Sequence, residues 1–225
     1  MNLWPCLALL LQFAITANAN TEKIVFSAPP TSSIPDAGPS FNNLDLYSLS
    51  PERLSVRLAL PVAFPEDPLP KGLDSWYLLE SLHPGQRYEV RICWAAIQPT
   101  AFTIDTFEPQ QVFDTPHLIT SLAAYSEAHA LPASAKIKPR TPGSQQSLLF
   151  LRVQSAADYY TTNETLMLHP PLVDVDIILD PYLGNIFPQS LLPTGVYIIV
   201  LAAGSWWLSG AIWKRLFSAP KQHTD

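Results

Sequence analysis

Three aspartates toward the end of this 225-residue chain, Asp174, Asp176 and Asp180, have the type and spacing to do chemistry. Paired carboxylates serve as general acid and base in glycoside hydrolysis, or they hold a cation. Here Asp174 and Asp176 alternate with Val173, Val175 and Ile177, the pattern of a half-buried strand whose polar face meets water. A solvated strand face is therefore the expectation, with a glycan-processing enzyme as the reading that would use these carboxylates. His83, His117, His129 and His169 are dispersed, with no partner at metal-ligand spacing, so no metal site is expected. No serine stands in a nucleophile-elbow pattern, and the eight glycines form no phosphate-cradling loop. No catalytic and no cofactor-binding residue is assigned. Asn163-Glu164-Thr165 is an N-glycosylation acceptor, and Asn163 is its attachment atom's owner if this stretch enters the secretory lumen.

The elements that must position these residues are short. Between Asn20 and Ser190 lie 20 prolines, a density that long helices do not tolerate but that short strands with proline-bearing connections do. Strands are expected over Lys23–Ala28, Leu54–Leu60, Trp76–Leu79, Arg87–Trp94, Phe102–Phe107, Ser147–Val153 and Val173–Leu179. Trp76–Leu79 is the weakest pattern. Arg87–Trp94 alternates well, with Tyr88, Val90 and Ile92 on one face and Arg87, Glu89 and Arg91 on the other. Leu82-His83-Pro84-Gly85-Gln86-Arg87-Tyr88 reads as a turn that enters a strand, with a tyrosine placed as in the tyrosine corner of immunoglobulin-like sandwiches. The expected fold is mainly β, a β-sandwich-like domain. Leu118–His129 fits a short helix; Pro29–Ser40, Pro61–Gly72 and Ala130–Gln146 read as loops, the last a surface insertion.

The two ends set the expected topology. Met1 to Ala19 carries the apolar run Leu7-Ala8-Leu9-Leu10-Leu11 and closes on Ala17-Asn18-Ala19, a pattern that signal peptidase accepts, so residues 1–19 are expected to be a cleaved signal peptide. Leu191 to Trp213 holds no charged side chain over 23 residues, which at ~1.5 Å per helical residue crosses a hydrocarbon core of ~30 Å. Lys214 and Arg215 follow at once. By the positive-inside rule, residues 214–225 are then a cytosolic tail and residues 20–190 a luminal domain, a single-pass type I arrangement. The luminal part has 10 lysines and arginines against 18 aspartates and glutamates, the wrong sign for nucleic acid. Once Cys6 leaves with the signal peptide, Cys93 is the sole cysteine and no internal disulfide forms.

The stretch before the span is apolar and aromatic, with Tyr182 and Phe187 suited to a bilayer surface. The span contributes small residues, Gly204 and Gly210 among them, which permit close helix approach. Asp180, Pro181, Tyr182, Asn185, Phe187, Pro188, Gly204 and Gly210 are the candidate contacts with a partner, and membrane lipid is the other expected neighbour.

The mature start Asn20-Thr21-Glu22-Lys23-Ile24-Val25-Phe26, the run Leu179-Asp180-Pro181-Tyr182 with Asn185-Ile186-Phe187-Pro188, and the C-terminal span together resemble the fungal co-activator subunit of glycosylphosphatidylinositol (GPI) mannosyltransferase II. The resemblance covers both edges of the luminal domain and leaves its middle, from about Pro61 to Gln146, unmatched. It implies an endoplasmic-reticulum membrane protein paired with a multi-span transferase that uses dolichol-phosphate-mannose and adds the second mannose to the anchor precursor. The subunit would stabilise or position the transferase and perform no chemistry. The ending Lys221-Gln222-His223-Thr224-Asp225 resembles a K-x-H-x-x retrieval signal for the same compartment. A luminal cargo receptor or chaperone-like binding module is the alternative with the same topology.

Overall fold

The computed structural model describes residues 20–33, 44, 46–129 and 145–217. The chain forms two compact units, one ending at Pro181 and one beginning at Tyr182. In chain order the elements are β1 (Thr21–Ser27), β2 (Ser32–Ser33), β3 (Tyr47–Leu49), β4 (Ser55–Leu60), β5 (Leu73–Leu82), β6 (Arg87–Trp94), β7 (Thr100–Phe107), α1 (Pro109–Asp114), α2 (Pro116–Ala128), β8 (Gln145–Ala157), α3 (Glu164–Leu168), β9 (Val173–Leu183), β10 (Phe187–Pro188), a 3₁₀ turn (Gln189–Leu191) and α4 (Leu192–Phe217).

The strands form two five-stranded sheets. In the first, β1 pairs with β6 and β6 with β9, while β4 and β10 pair with different stretches of β9, all antiparallel. In the second, β8 is central: β5 and β7 pair with it antiparallel, β2 adds two residues, and β3 joins β5 in parallel. The antiparallel register sets the faces. Ile24 stands opposite Val90, Val90 opposite Leu179 and Leu58 opposite Val175, so one face of the first sheet is a continuous apolar surface. That face packs with Tyr77, Leu79, Leu149, Leu151 and Val153 of the second sheet in one core.

The second sheet is also covered on its other face. Trp76, Leu78, Leu148 and Phe150 pack with Val112 of α1 and with Leu118, Leu122 and Tyr125 of α2. Five consecutive residues of β5, Ser75 to Leu79, are consequently buried, which is why this strand shows no alternation in sequence. Both helices start on a proline, Pro109 and Pro116, where the missing N–H belongs to the first helical turn and would lack a partner in any case.

A tight connection fixes β5. At Gly72 φ is +76°, and a Cβ there would lie 1.9 Å from the carbonyl oxygen of Ser155. Only glycine both adopts this φ without strain and lets the loop reach strand β8. Ser155 itself is buried, its hydroxyl donating to the carbonyl of Pro61 at 2.8 Å.

All seven expected strands are present, several longer than their sequence patterns, and the expected helix at Leu118–His129 runs from Pro116 to Ala128. The mainly β, sandwich-like fold with one apolar C-terminal helix is what the chain adopts. Of the expected loops, Pro61–Gly72 holds only isolated bridges, Ala63 to Ala156 and Glu66 to Leu69. Ser32 and Ser33, within the expected Pro29–Ser40 loop, pair with β8 instead. Residues 34–40 and 130–144 of the expected loops, the expected signal peptide 1–19 and the tail from 218 lie outside the described residues.

Candidate functional site

The tyrosine placed at the start of β6 makes the corner that its position predicted. Tyr88 is fully buried, and its hydroxyl accepts the backbone N–H of His83 at 3.1 Å while donating to Gln86 Oε1 at 3.1 Å. Burial pushes its phenol pKa up, with the His83 N–H acting in the opposite direction. His83 Nδ1 lies 3.1 Å from the same oxygen, so this histidine is engaged in a turn. His129 is engaged too, stacked on Tyr125 at 4.2 Å with its Nδ1 3.0 Å from that residue's carbonyl oxygen. Among the described residues no group of three or more His, Cys, Asp or Glu is placed to hold a metal ion. Cys93 is half-buried and accepts a long contact from the Thr21 hydroxyl at 3.7 Å.

The three aspartates share the outward face of β9 but not one environment. Asp174 is exposed. Asp176 takes both nitrogens of the Arg57 fork, at 2.7 and 2.6 Å, across the β4–β9 pair. These hydrogen bonds and the adjacent guanidinium charge hold its carboxyl below the usual range, and hold the arginine above its own. Asp180 corrects the expectation of a solvated face: it is 3% exposed and 3.4 Å from Arg91 Nη2. Glu89, opposite Asp180 on β6 and equally buried, pairs with Arg91 at 3.4 Å and with Lys23 at 3.3 Å. An alternation rule assigns Glu89 and Asp180 to water. The register instead brings two carboxylates side by side, where one guanidinium and one ammonium compensate their charge, and only such compensation makes carboxylate burial affordable.

The second unit contains most of the candidate partner contacts. Leu183, Gly184, Asn185 and Ile186 make a turn closed by the Ile186 N–H on the Leu183 carbonyl at 3.2 Å. Gly184 and Asn185 both have positive φ, 58° and 60°, the conformation that glycine and asparagine tolerate best. The turn raises Ile186 into the open, 84% exposed, beside the exposed side chains of Leu183 and Phe187. Phe187 Cζ lies 3.6 Å from where a Cβ at Gly195 would be, so this ring covers the first turns of α4. The helix that follows is apolar on every side and none of its side chains is buried. The segment Gln189–Phe217 contains an 18-residue window with a mean hydropathy of 1.6 and is long and apolar enough to cross a membrane. Lys214 and Arg215 close its last turn, where cations suit the helix dipole.

Of the expected partner contacts, Asp180 and Pro181 are buried in the first unit and Tyr182 is half-buried. Asn185, Phe187, Gly204 and Gly210 lie on exposed surface, and Pro188 is half-exposed. A Cβ at Gly204 or Gly210 would meet nothing within 4 Å. Ile186 and Leu183 were not singled out in the sequence, although Gly184-Asn185 is itself a strong turn signal between apolar neighbours. Asn163 is exposed, and its Oδ1 accepts the Thr165 N–H at 3.0 Å to cap α3.

Fold and site together define a class: a two-sheet, mainly β protein in which, among the described residues, one C-terminal helix is able to span a membrane, with an apolar hairpin just ahead of it in the chain. No protein-family model matches the chain, and no solved structure matches it. Over 124 residues it is 25% identical to a curated protein of Schizosaccharomyces pombe described as a GPI mannosyltransferase 2 subunit. The match covers 54% of this chain and 47% of the relative, so the chain spans about half the length of that protein.

Proposed function

We propose that this chain is a non-catalytic accessory subunit of a GPI mannosyltransferase II complex in the endoplasmic-reticulum membrane. In this reading residues 20–190 are luminal, α4 spans the bilayer, and the chain stabilises or activates the multi-span transferase that adds the second mannose to the anchor precursor. The observation that carries the proposal is the similarity to a protein described as a subunit of that transferase. The apolar C-terminal helix supports it, because a helix able to cross the bilayer can meet a membrane-embedded partner there.

The surfaces that fit a membrane-embedded partner are the exposed hairpin residues Asn185, Ile186 and Phe187 and the α4 faces bearing Gly204 and Gly210. A glycine on a lipid-facing helix lets a second backbone approach closely, and packing of that kind drives helix association where water is absent. Purification from gentle detergent tests the proposal: one stoichiometric multi-span partner is expected. Loss of the chain should cause anchor precursors with one mannose to accumulate. A spread of soluble secretory clients in the purification, with a normal precursor profile after complete loss, would remove the subunit reading.

A further inference from the structure

Between the Pro61–Gly72 loop and helix α2 lies an open cleft of about 610 Å³. Its floor is polar and already organised. Trp76 Nε1–H donates to Ser121 Oγ at 2.9 Å, the Ser121 hydroxyl donates to Asp74 Oδ2 at 2.5 Å, and Gln154 Nε2 donates to Asp74 Oδ1 at 2.9 Å. Each Asp74 oxygen therefore has one donor and retains room for another, since a carboxylate offers about four lone-pair directions. Gln154 Oε1 is buried with no hydrogen-bond partner. A buried amide oxygen left without a donor is costly, and both Asp74 and Gln154 line the cleft. The floor is short of donors, and whatever occupies it should supply them.

We propose that this cleft binds a neutral sugar, a hexose unit of a glycan. Charge narrows the choice first. Asp74 repels an anion at the floor, and Lys71 on the rim opposes a second cation. A neutral molecule rich in O–H groups supplies donors to the remaining lone pairs of Asp74. The rest of the lining suits the C–H surface of a pyranose, because Pro68, Leu69, Pro70 and Pro116 supply apolar area. The volume lies within the ~300–1,000 Å³ typical of small-molecule sites. Gly72 pins the loop carrying two of these prolines against β8, so the wall is part of the fold. A chain of hydrogen bonds anchored on a buried indole also holds Asp74 in one orientation, and preorganisation of this kind lowers the cost of binding.

This proposal goes beyond the subunit reading and does not rest on it; failure to co-purify with a transferase would leave it standing. The test uses the full chain in detergent micelles with tryptophan ¹⁵N-labelled, the Trp76 indole resonance being assigned by Trp76→Phe. Methyl α-mannoside and a mannotriose are titrated, with glucosamine and mannose 6-phosphate as cationic and anionic controls. A saturable shift of the Trp76 resonance is expected with the neutral sugars and not with the charged ones. Asp74→Asn should weaken binding about tenfold or more, the usual weight of a hydrogen bond to a charged group. Ala124→Trp fills the cleft from α2 without touching the network, and should abolish the shift at unchanged melting temperature. A mannosylated glycolipid and a high-mannose glycopeptide distinguish the lipid-linked from the protein-linked source, and saturable binding of either through the cleft supports the proposal. No saturable shift with any neutral sugar, equal response to the charged controls, or full binding by Ala124→Trp would overturn it.

Discussion

Arg91 lies between two buried carboxylates, 3.4 Å from Asp180 on the neighbouring strand and 3.4 Å from Glu89 on its own. The pairing separates Asp180 from Asp174 and Asp176 in kind. One aspartate is buried among charges of the fold, one is clamped by Arg57 near the surface, and one is exposed. A test of the glycan-processing reading that replaces all three at once would therefore confuse chemistry with stability.

Asp180→Ala should destabilise the protein by about 1.5–3 kcal/mol, the usual weight of a hydrogen bond to a charged group, because Arg91 loses one of its two carboxylates and keeps Glu89. Chemical denaturation of the full chain in micelles measures it. Asp174→Asn with Asp176→Asn should leave the unfolding midpoint nearly unchanged. Anchor-precursor profiles of that double variant then test the enzymatic reading cleanly: a normal profile at normal abundance excludes a catalytic pair.

The Asp176–Arg57 pair gives a pH dependence of defined sign. The folded carboxyl is held below the usual carboxylate range by the Arg57 hydrogen bonds. Its stabilisation is thus fully present above the unfolded pKa of ~3.9 and disappears as pH falls through the lower folded value. Thermal unfolding of the wild type and of Asp176→Asn should differ slightly at neutral pH and converge in acid, once the pH has fallen below the lowered folded value. A gap that widened in acid would contradict the assignment. Because both side chains meet solvent, the difference should also shrink with added salt.

Tyr88→Phe removes the acceptor for the His83 N–H and the donor to Gln86 while keeping the ring. A loss of about 1–2 kcal/mol is expected, with the turn before β6 exchanging its amide protons faster. Gly72→Ala should be worse, on the order of 3 kcal/mol or more, since the added methyl meets the Ser155 carbonyl in a strained φ. Low steady-state abundance of that variant is the simplest readout.

Asn163 reports topology. If residues 20–190 enter the lumen, the exposed Asn163 should be glycosylated, and digestion with an endoglycosidase should raise the gel mobility. Asn163→Gln and Thr165→Ala should each abolish the shift by removing different parts of the acceptor. Thr165→Ala keeps the Asn163 cap on α3, so it separates loss of the glycan from loss of the helix end.

The hairpin ahead of α4 can be tested against the proposed partner. Ile186→Ser with Phe187→Ser should lower the recovered amount of the proposed multi-span partner while the first unit unfolds at an unchanged midpoint, because these side chains belong to the second unit. Undiminished recovery would move the contact to α4, where Gly204→Leu and Gly210→Leu are the next variants.

How far the fold could be read depends on what each element faces. β6 and β9 have one face in the core and one outside, so their alternation was legible, as were the helix of α2 and the uncharged run of α4. β5 was the faintest strand because sheet and helices cover both its faces, and double burial removes the periodic signal. α1 is only six residues long and β3 three, too short for a pattern to rise above composition. The cleft beneath α2 was invisible for another reason. Asp74, Ser121 and Gln154 are far apart along the chain and meet only because β5 and β8 pair while α2 packs on their sheet.

Sequence alone determined the class of this protein: proline density excluded long helices before the span, alternation marked the strands, and 23 uncharged residues defined a helix able to cross a membrane. The one-dimensional periods of strand and helix carry that much, because they report which side of an element avoids water. Tertiary structure alone decided what the charged residues do. Register put Glu89 beside Asp180 and Arg57 beside Asp176, turning expected surface carboxylates into members of the fold, while sheet and helix packing assembled Asp74, Ser121, Trp76 and Gln154 into one polar floor. Electrostatic roles depend on distance and burial, and both are properties of the folded chain.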